Sequence, residues 1–185
     1  MRFRKYSVAV TCDIQQMFYC FLVEEAHRDF LRFFWYKSND PTKPLIEYRM
    51  TVHVFGNTPS PSVATYGLRK TVDDANPAVR TFVENNYVDD GLTSCLTSAE
   101  PIGLLKGTQQ ALSTANIKLH KIVSNSVEVM AAFPVEERAK SVSTLDIFAD
   151  DLPSQASLGL AWNISEDLFS FNLNIPDKPF TKSRL

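Results

Sequence analysis

Three aspartates carry the chemistry that can be read from this sequence: Asp13, in Cys12-Asp13-Ile14, and the adjacent pair in Tyr87-Val88-Asp89-Asp90-Gly91. Carboxylates packed together repel one another unless cations neutralise them, and hard oxygen donors select magnesium, which keeps waters and substrate phosphates in its shell. Asp13, Asp89 and Asp90 brought to one place therefore point to a two-metal phosphoryl-transfer site. There one ion lowers the pKa of an attacking hydroxyl and the other steadies the leaving pyrophosphate. Two further pairs compete for the second position, Asp73-Asp74 and Asp150-Asp151. An aspartate pair in a turn, taken alone, is more often a solvated cap. His27, His53 and His120 have no metal-ligand spacing among themselves and are assigned no role.

The elements that must position these acids follow from periodicity and punctuation. Val8, Val10 and Cys12 alternate with Ala9, Thr11 and Asp13, which predicts a strand delivering Asp13 near its C-terminal end. The aromatic and β-branched runs 19–24, 30–36 and 45–54 predict further antiparallel strands. Ser60-Pro61 reads as an N-cap and first-turn proline opening a helix to about Thr71, and Asn76-Pro77 restarts a short one. Asp90-Gly91 is a hairpin-turn signal, so both aspartates are expected at a strand-to-strand turn. Ser98, Glu100 and Pro101 open a helix ending at Asn116, a strand follows around 117–119, and Asn125-Ser126 starts a helix that Pro134 stops. Leu158, Leu160 and Trp162 alternate ahead of a turn at 165–167, and Phe169, Phe171 and Leu173 alternate after it, predicting a C-terminal hairpin.

Composition bounds the rest. The chain has 185 residues, 44% hydrophobic and 22% charged, which suits one folded domain with a sizeable core and excludes a disordered or collagen-like chain. A formal charge of −2 gives no global basic excess, so a nucleic-acid partner has to be argued from local residues. Three cysteines without a C-x-x-C pair suggest neither a disulfide framework nor a zinc knuckle and fit a reduced intracellular compartment. No apolar run approaches the roughly 20 residues of a spanning helix, so no membrane partner is expected.

Taken together, Cys12-Asp13-Ile14-Gln15-Gln16-Met17-Phe18, the segment from Glu47 to Pro61, and Tyr87-Val88-Asp89-Asp90 resemble reverse transcriptases of Pao/BEL-type LTR retrotransposons. The resemblance continues through Lys121-Ile122-Val123-Ser124-Asn125-Ser126 and Leu158-Gly159-Leu160-Ala161-Trp162, and so covers nearly the whole chain. It implies an α+β polymerase palm over residues 1–175 with a short tail at 176–185. The expected palm is an antiparallel sheet with helices packed on one face, a split βαβ or ferredoxin-like core, plus the C-terminal hairpin.

The same resemblance implies an RNA-directed DNA polymerase that uses two magnesium ions, or manganese in their place. Its partners would be an RNA or DNA template-primer, a dNTP and the remaining polyprotein domains: fingers, thumb, RNase H and integrase. Its setting would be the cytoplasmic virus-like particle of the element. Asp13 and Asp89 become the principal metal ligands and Asp90 the supporting acid, and the order of the motifs sends Asp150-Asp151 to a loop. Phe18 matches the aromatic gate that excludes a 2′-hydroxyl. Phe55, Gly56 and Ser60 match the segment lying against template and nucleotide, although Phe55 stands where many viral relatives carry glutamine, and Tyr87 completes the nucleotide-side set. Lys121 matches the lysine region suspected of protonating departing pyrophosphate, with a solvated surface lysine as the other reading. Leu158, Gly159 and Trp162 match the primer-gripping hairpin.

Because the resemblance leaves the start of the fingers and the thumb outside these residues, little processive activity is expected of the chain alone. The other readings are an inactive retroelement remnant and a non-catalytic nucleic-acid-binding module. Against the second, the basic-Gly-aromatic-Gly-aromatic strand of RNA-recognition domains is missing from the sequence.

Overall fold

The computed structural model describes residues 5–86, 88–139, 154–157, 160–164 and 168–170. In chain order the elements are β1 (Val8–Ile14), β2 (Arg32–Tyr36), β3 (Leu45–Arg49), α1 (Ser60–Thr71), α2 (Pro77–Glu84), β4 (Asp90–Cys95), α3 (Ala99–Ser113), β5 (Leu119–Ser124), α4 (Val127–Ala131), β6 (Ser154–Ser157), β7 (Leu160–Asn163) and β8 (Leu168–Ser170). The result is a mixed α+β architecture with antiparallel sheets.

β1 is the centre of the main sheet, with β4 on one side and β5 on the other, both antiparallel to it. β4 and β5 therefore run parallel to each other. α3 joins them in a split β-α-β unit with β1 inserted between the strands. Alternation along β1 divides the core. Val10, Cys12 and Ile14 pack with Ile122 against Ala64 and Leu68 of α1, Val79, Phe82 and Val83 of α2, and Leu105 and Leu112 of α3. Ala9 faces the other way and joins Val123, Met130, Ala139, Trp162 and Ile164 in a second cluster. Asp13, four residues beyond Ala9, continues that second face.

Several helix signals act as read. The Asn76 side chain accepts from the amide of Ala78 at 2.8 Å and Pro77 takes the first helical position. Ser126 accepts from the amide of Val129, starting α4. At α3 the Glu100 carboxylate accepts from the amide and hydroxyl of Thr97, closing the reciprocal half of a capping box. Ser60 departs from expectation, because it begins α1 without a capping hydrogen bond and its hydroxyl turns inward to His53.

The strand expected over 19–24 is instead a 3-10 turn at Met17–Cys20, followed by a single bridge from Leu22 to Val52. Met17 and Phe18, which open that turn, are both buried, as consecutive residues of a tight helical turn can be. The third predicted run is shortened: β3 stops at Arg49 and pairs with β2 as a separate two-stranded ribbon, in which Phe33 stacks on Tyr48 at 5.8 Å. Near the end, β6, β7 and β8 form an antiparallel meander in which Trp162 stands opposite Phe169, so the predicted hairpin gains a third strand. No helix among the described residues is long and apolar enough to cross a membrane.

Candidate active site

The register of β1 and β4 sets Asp13 directly opposite Asp90. Strands in a sheet lie about 5 Å apart, so two carboxylate-bearing residues share one end of the ladder. Asp89 is tied in by its backbone, its carbonyl accepting from the amide of Ile14 at 2.9 Å. All three acids are partly exposed, so solvent and solutes reach them.

The Asp90-Gly91 step does not form the predicted hairpin turn. No strand precedes it: α2, with its strong cap and buried Val79, Phe82 and Val83, takes the chain up to Glu84. Val88 makes the turn with a positive φ of 57°, and β4 begins at Asp90 itself. Gly91 serves packing instead. A Cβ placed on it would lie 2.6 Å from Cys12 Sγ and 2.9 Å from Phe82 Cζ, so only glycine lets β4 close onto β1 there. Burial, with the charges of Asp13 and Asp90 beside it, pushes the pKa of the Cys12 thiol well up, and it remains protonated.

On the other flank, β5 carries a bulge. Thr11 pairs with Val123 and Asp13 with His120, leaving Cys12 opposite both Lys121 and Ile122. Lys121 takes up the extra residue with φ at 51°. Adjacent residues of a regular strand point to opposite faces, yet here two neighbours converge on one carboxylate. Lys121 Nζ lies 2.7 Å from Asp13 Oδ2, and His120 Nε2 lies 2.8 Å from Asp13 Oδ1. A carboxylate only accepts, so His120 donates from Nε2. Sequence reading assigned His120 nothing, and no motif spacing would have found it, because its link to Asp13 exists only through the bulged register.

The remaining predicted residues divide clearly. Phe18 is buried and meets the Phe55 ring edge-on at 4.6 Å, while Phe55 itself is 66% exposed. Gly56 turns with φ at 82°. The Ser60 hydroxyl is fully buried, 3.2 Å from His53 Nδ1, so it braces the loop between them and does not face solvent. Trp162 of the predicted primer-gripping hairpin is buried in the second core cluster. Tyr87, Leu158 and Gly159 lie outside the described residues, as does the Asp150-Asp151 pair. Of the competing Asp73-Asp74, Asp73 pairs with Lys70 at 2.7 Å on the exposed end of α1.

Among the described residues, no three His, Cys, Asp or Glu side chains form a ready group for a metal ion. The donor set nevertheless fits magnesium. One or two carboxylates with waters and substrate phosphates complete its shell, and Asp13 and Asp90 supply two oxygen-donor side chains on facing residues. Two clefts of about 430 and 460 Å³ share Gln15 and Lys118 in their walls, and the second is also lined by His120. The protein is thus an α+β domain with paired carboxylates at the end of its central strand. No family model matches this chain, and no curated protein matches it.

Proposed function

We propose that the chain is the palm region of an RNA-directed DNA polymerase of the Pao/BEL retrotransposon type, extending a primer 3′-hydroxyl with dNTPs on an RNA or DNA template. The observation that carries this reading is the facing of Asp13 and Asp90 across antiparallel strands, with Asp89 bonded through its carbonyl to the residue after Asp13. That juxtaposition joins acids 76 and 77 positions apart in the sequence. The split β-α-β unit beneath them is the frame expected of a palm.

In this reading Asp13, Asp89 and Asp90 would hold magnesium or manganese, which when bound would lower the pKa of the primer hydroxyl and neutralise charge at the phosphates. His120 fixes the orientation of Asp13. Lys121, held beside Asp13, would be the proton donor to departing pyrophosphate. Phe55 and Gly56 form the exposed face toward template and nucleotide, and Phe18 stands beneath Phe55 as the sugar gate. Ser60 and Trp162 support the fold around these groups.

Calorimetric titration with magnesium or manganese, beside an Asp89→Asn, Asp90→Asn double variant, tests the reading without the flanking polymerase domains. Saturable binding that the double variant loses is the expected result. Equal heats from two folded proteins would sink the polymerase reading and leave an inactive remnant.

A further inference from the structure

We propose that Lys121 is the built-in counter-ion of Asp13 and yields that place to a divalent cation, so that metal loading and release of the Lys121 ammonium are one exchange. The inference rests on the polymerase reading for the identity of the ion, and adds to it a state of the site that the motifs do not contain.

Four observations lead to it. Both oxygens of Asp13 are engaged, Oδ2 by Lys121 Nζ at 2.7 Å and Oδ1 by His120 Nε2 at 2.8 Å. A cation bound at Oδ2 would therefore have to share an oxygen with an ammonium of its own sign, and the two repel. The bulge is what creates this contest. Continued without a bulge from the Thr11–Val123 pair, the ladder would set Lys121 alone opposite Asp13; the bulge, with Lys121 at a φ of 51° that residues other than glycine adopt at a cost, brings His120 there as well, so that both oxygens are taken.

Third, the two partners differ in how easily they leave. The Lys121 side chain is 50% exposed and ends a flexible four-carbon stem, so its ammonium swings into water without moving the backbone. His120 is the more enclosed of the two and sits on a short ring, so its hydrogen bond persists as Lys121 departs. Fourth, Asp13 faces a second acid, Asp90, across the ladder. A carboxylate so placed requires a positive partner in either state, and Lys121 is that partner until an ion replaces it. The consequence is directional: Lys121 becomes free to meet a phosphate only once Asp13 has its metal.

Manganese titration of the full chain, followed by the paramagnetic resonance signal of the unbound ion at fixed ionic strength, tests the exchange. Lys121→Met removes the competitor. Lys118→Met changes the net charge equally at a nearby position and is the control, and Lys121→Gln is the second variant should Met disturb folding, which circular dichroism checks. Lys121→Met is expected to bind manganese about threefold or more tightly than the parent, and more tightly than Lys118→Met. Equal affinities of the two lysine variants, or weaker binding by Lys121→Met, overturn the exchange. The Asp89→Asn, Asp90→Asn protein separates the failures. If it binds like the parent, or if no protein binds, the polymerase reading falls and the exchange with it. If it loses binding while Lys121→Met fails to tighten it, the exchange alone falls.

Discussion

His120 and Asp13, 107 positions apart, are joined across the β1–β5 ladder by a 2.8 Å hydrogen bond from Nε2 to Oδ1. Both side chains are less than one-quarter exposed, which makes the bond stronger than a fully solvated pair. His120→Leu, which removes the donor, is expected to lower the unfolding free energy by about 1 kcal/mol, and His120→Gln, which retains one, by distinctly less. Urea unfolding of the two variants checks this. Equal losses would make His120 a packing residue.

Gly91 predicts a coupled pair. Gly91→Ala is expected to destabilise the protein by about 1–3 kcal/mol, because its methyl group meets Cys12 Sγ and the Phe82 ring. Adding Cys12→Ala removes the sulfur and should recover part of that loss, with a coupling of about 1 kcal/mol in a double-mutant cycle. Additive effects of the two substitutions would show that the clash lies elsewhere.

Asn86, at the approach to the Asp89-Asp90 pair, buries both polar atoms of its amide without a hydrogen-bond partner. Such a group costs about 1–3 kcal/mol, so Asn86→Leu is expected to raise stability by about 1 kcal/mol. A thermal unfolding midpoint that falls instead would mean that the amide does unseen work.

Asp29 ties the two ribbon strands together through Arg32 at 2.9 Å and Arg49 at 3.1 Å. Hydrogen bonds from these guanidinium groups, Arg32 first, hold its carboxyl below the ordinary 3.8. Because the folded-state pKa is the lower one, the stabilisation is complete above about pH 3.8 and disappears as pH falls through the folded value. An acid titration followed by Trp35 fluorescence should show the ribbon loosening in that window, and Asp29→Asn should show the loosened signal at neutral pH. Identical titrations of parent and variant would exclude the tie.

Phe18 offers a test of two roles at once. Phe18→Val is expected to cost about 2 kcal/mol through the cavity it leaves beside Phe55. In a polymerase carrying the flanking domains, it should also raise ribonucleotide incorporation. A stability loss with unchanged sugar discrimination would make Phe18 a core residue alone.

Local patterns were legible where local physics decides. Alternation along residues 8–13 located β1 and placed Asp13 near its end, and Ser126, Asn76 and Pro77 marked helix starts because capping satisfies backbone groups within a few residues. The Asp90-Gly91 turn signal misled because the same dipeptide also suits a strand that needs a residue without a side chain, and only the position of Cys12 and Phe82 chooses between them.

What the amino-acid order settles about this protein is which acids are available, near which strand ends they lie, and where its main helices begin. Whether Trp162 faces solvent, whether Ser60 caps or braces, and which cations reach Asp13 depend on contacts between segments far apart in the chain. A one-residue bulge at Lys121 turns His120 and Lys121 to the same carboxylate, and a bulge is a property of how two strands pair rather than of either strand's sequence. The candidate site is therefore written in the motifs as composition, and acquires its electrostatics only when β5 closes on β1.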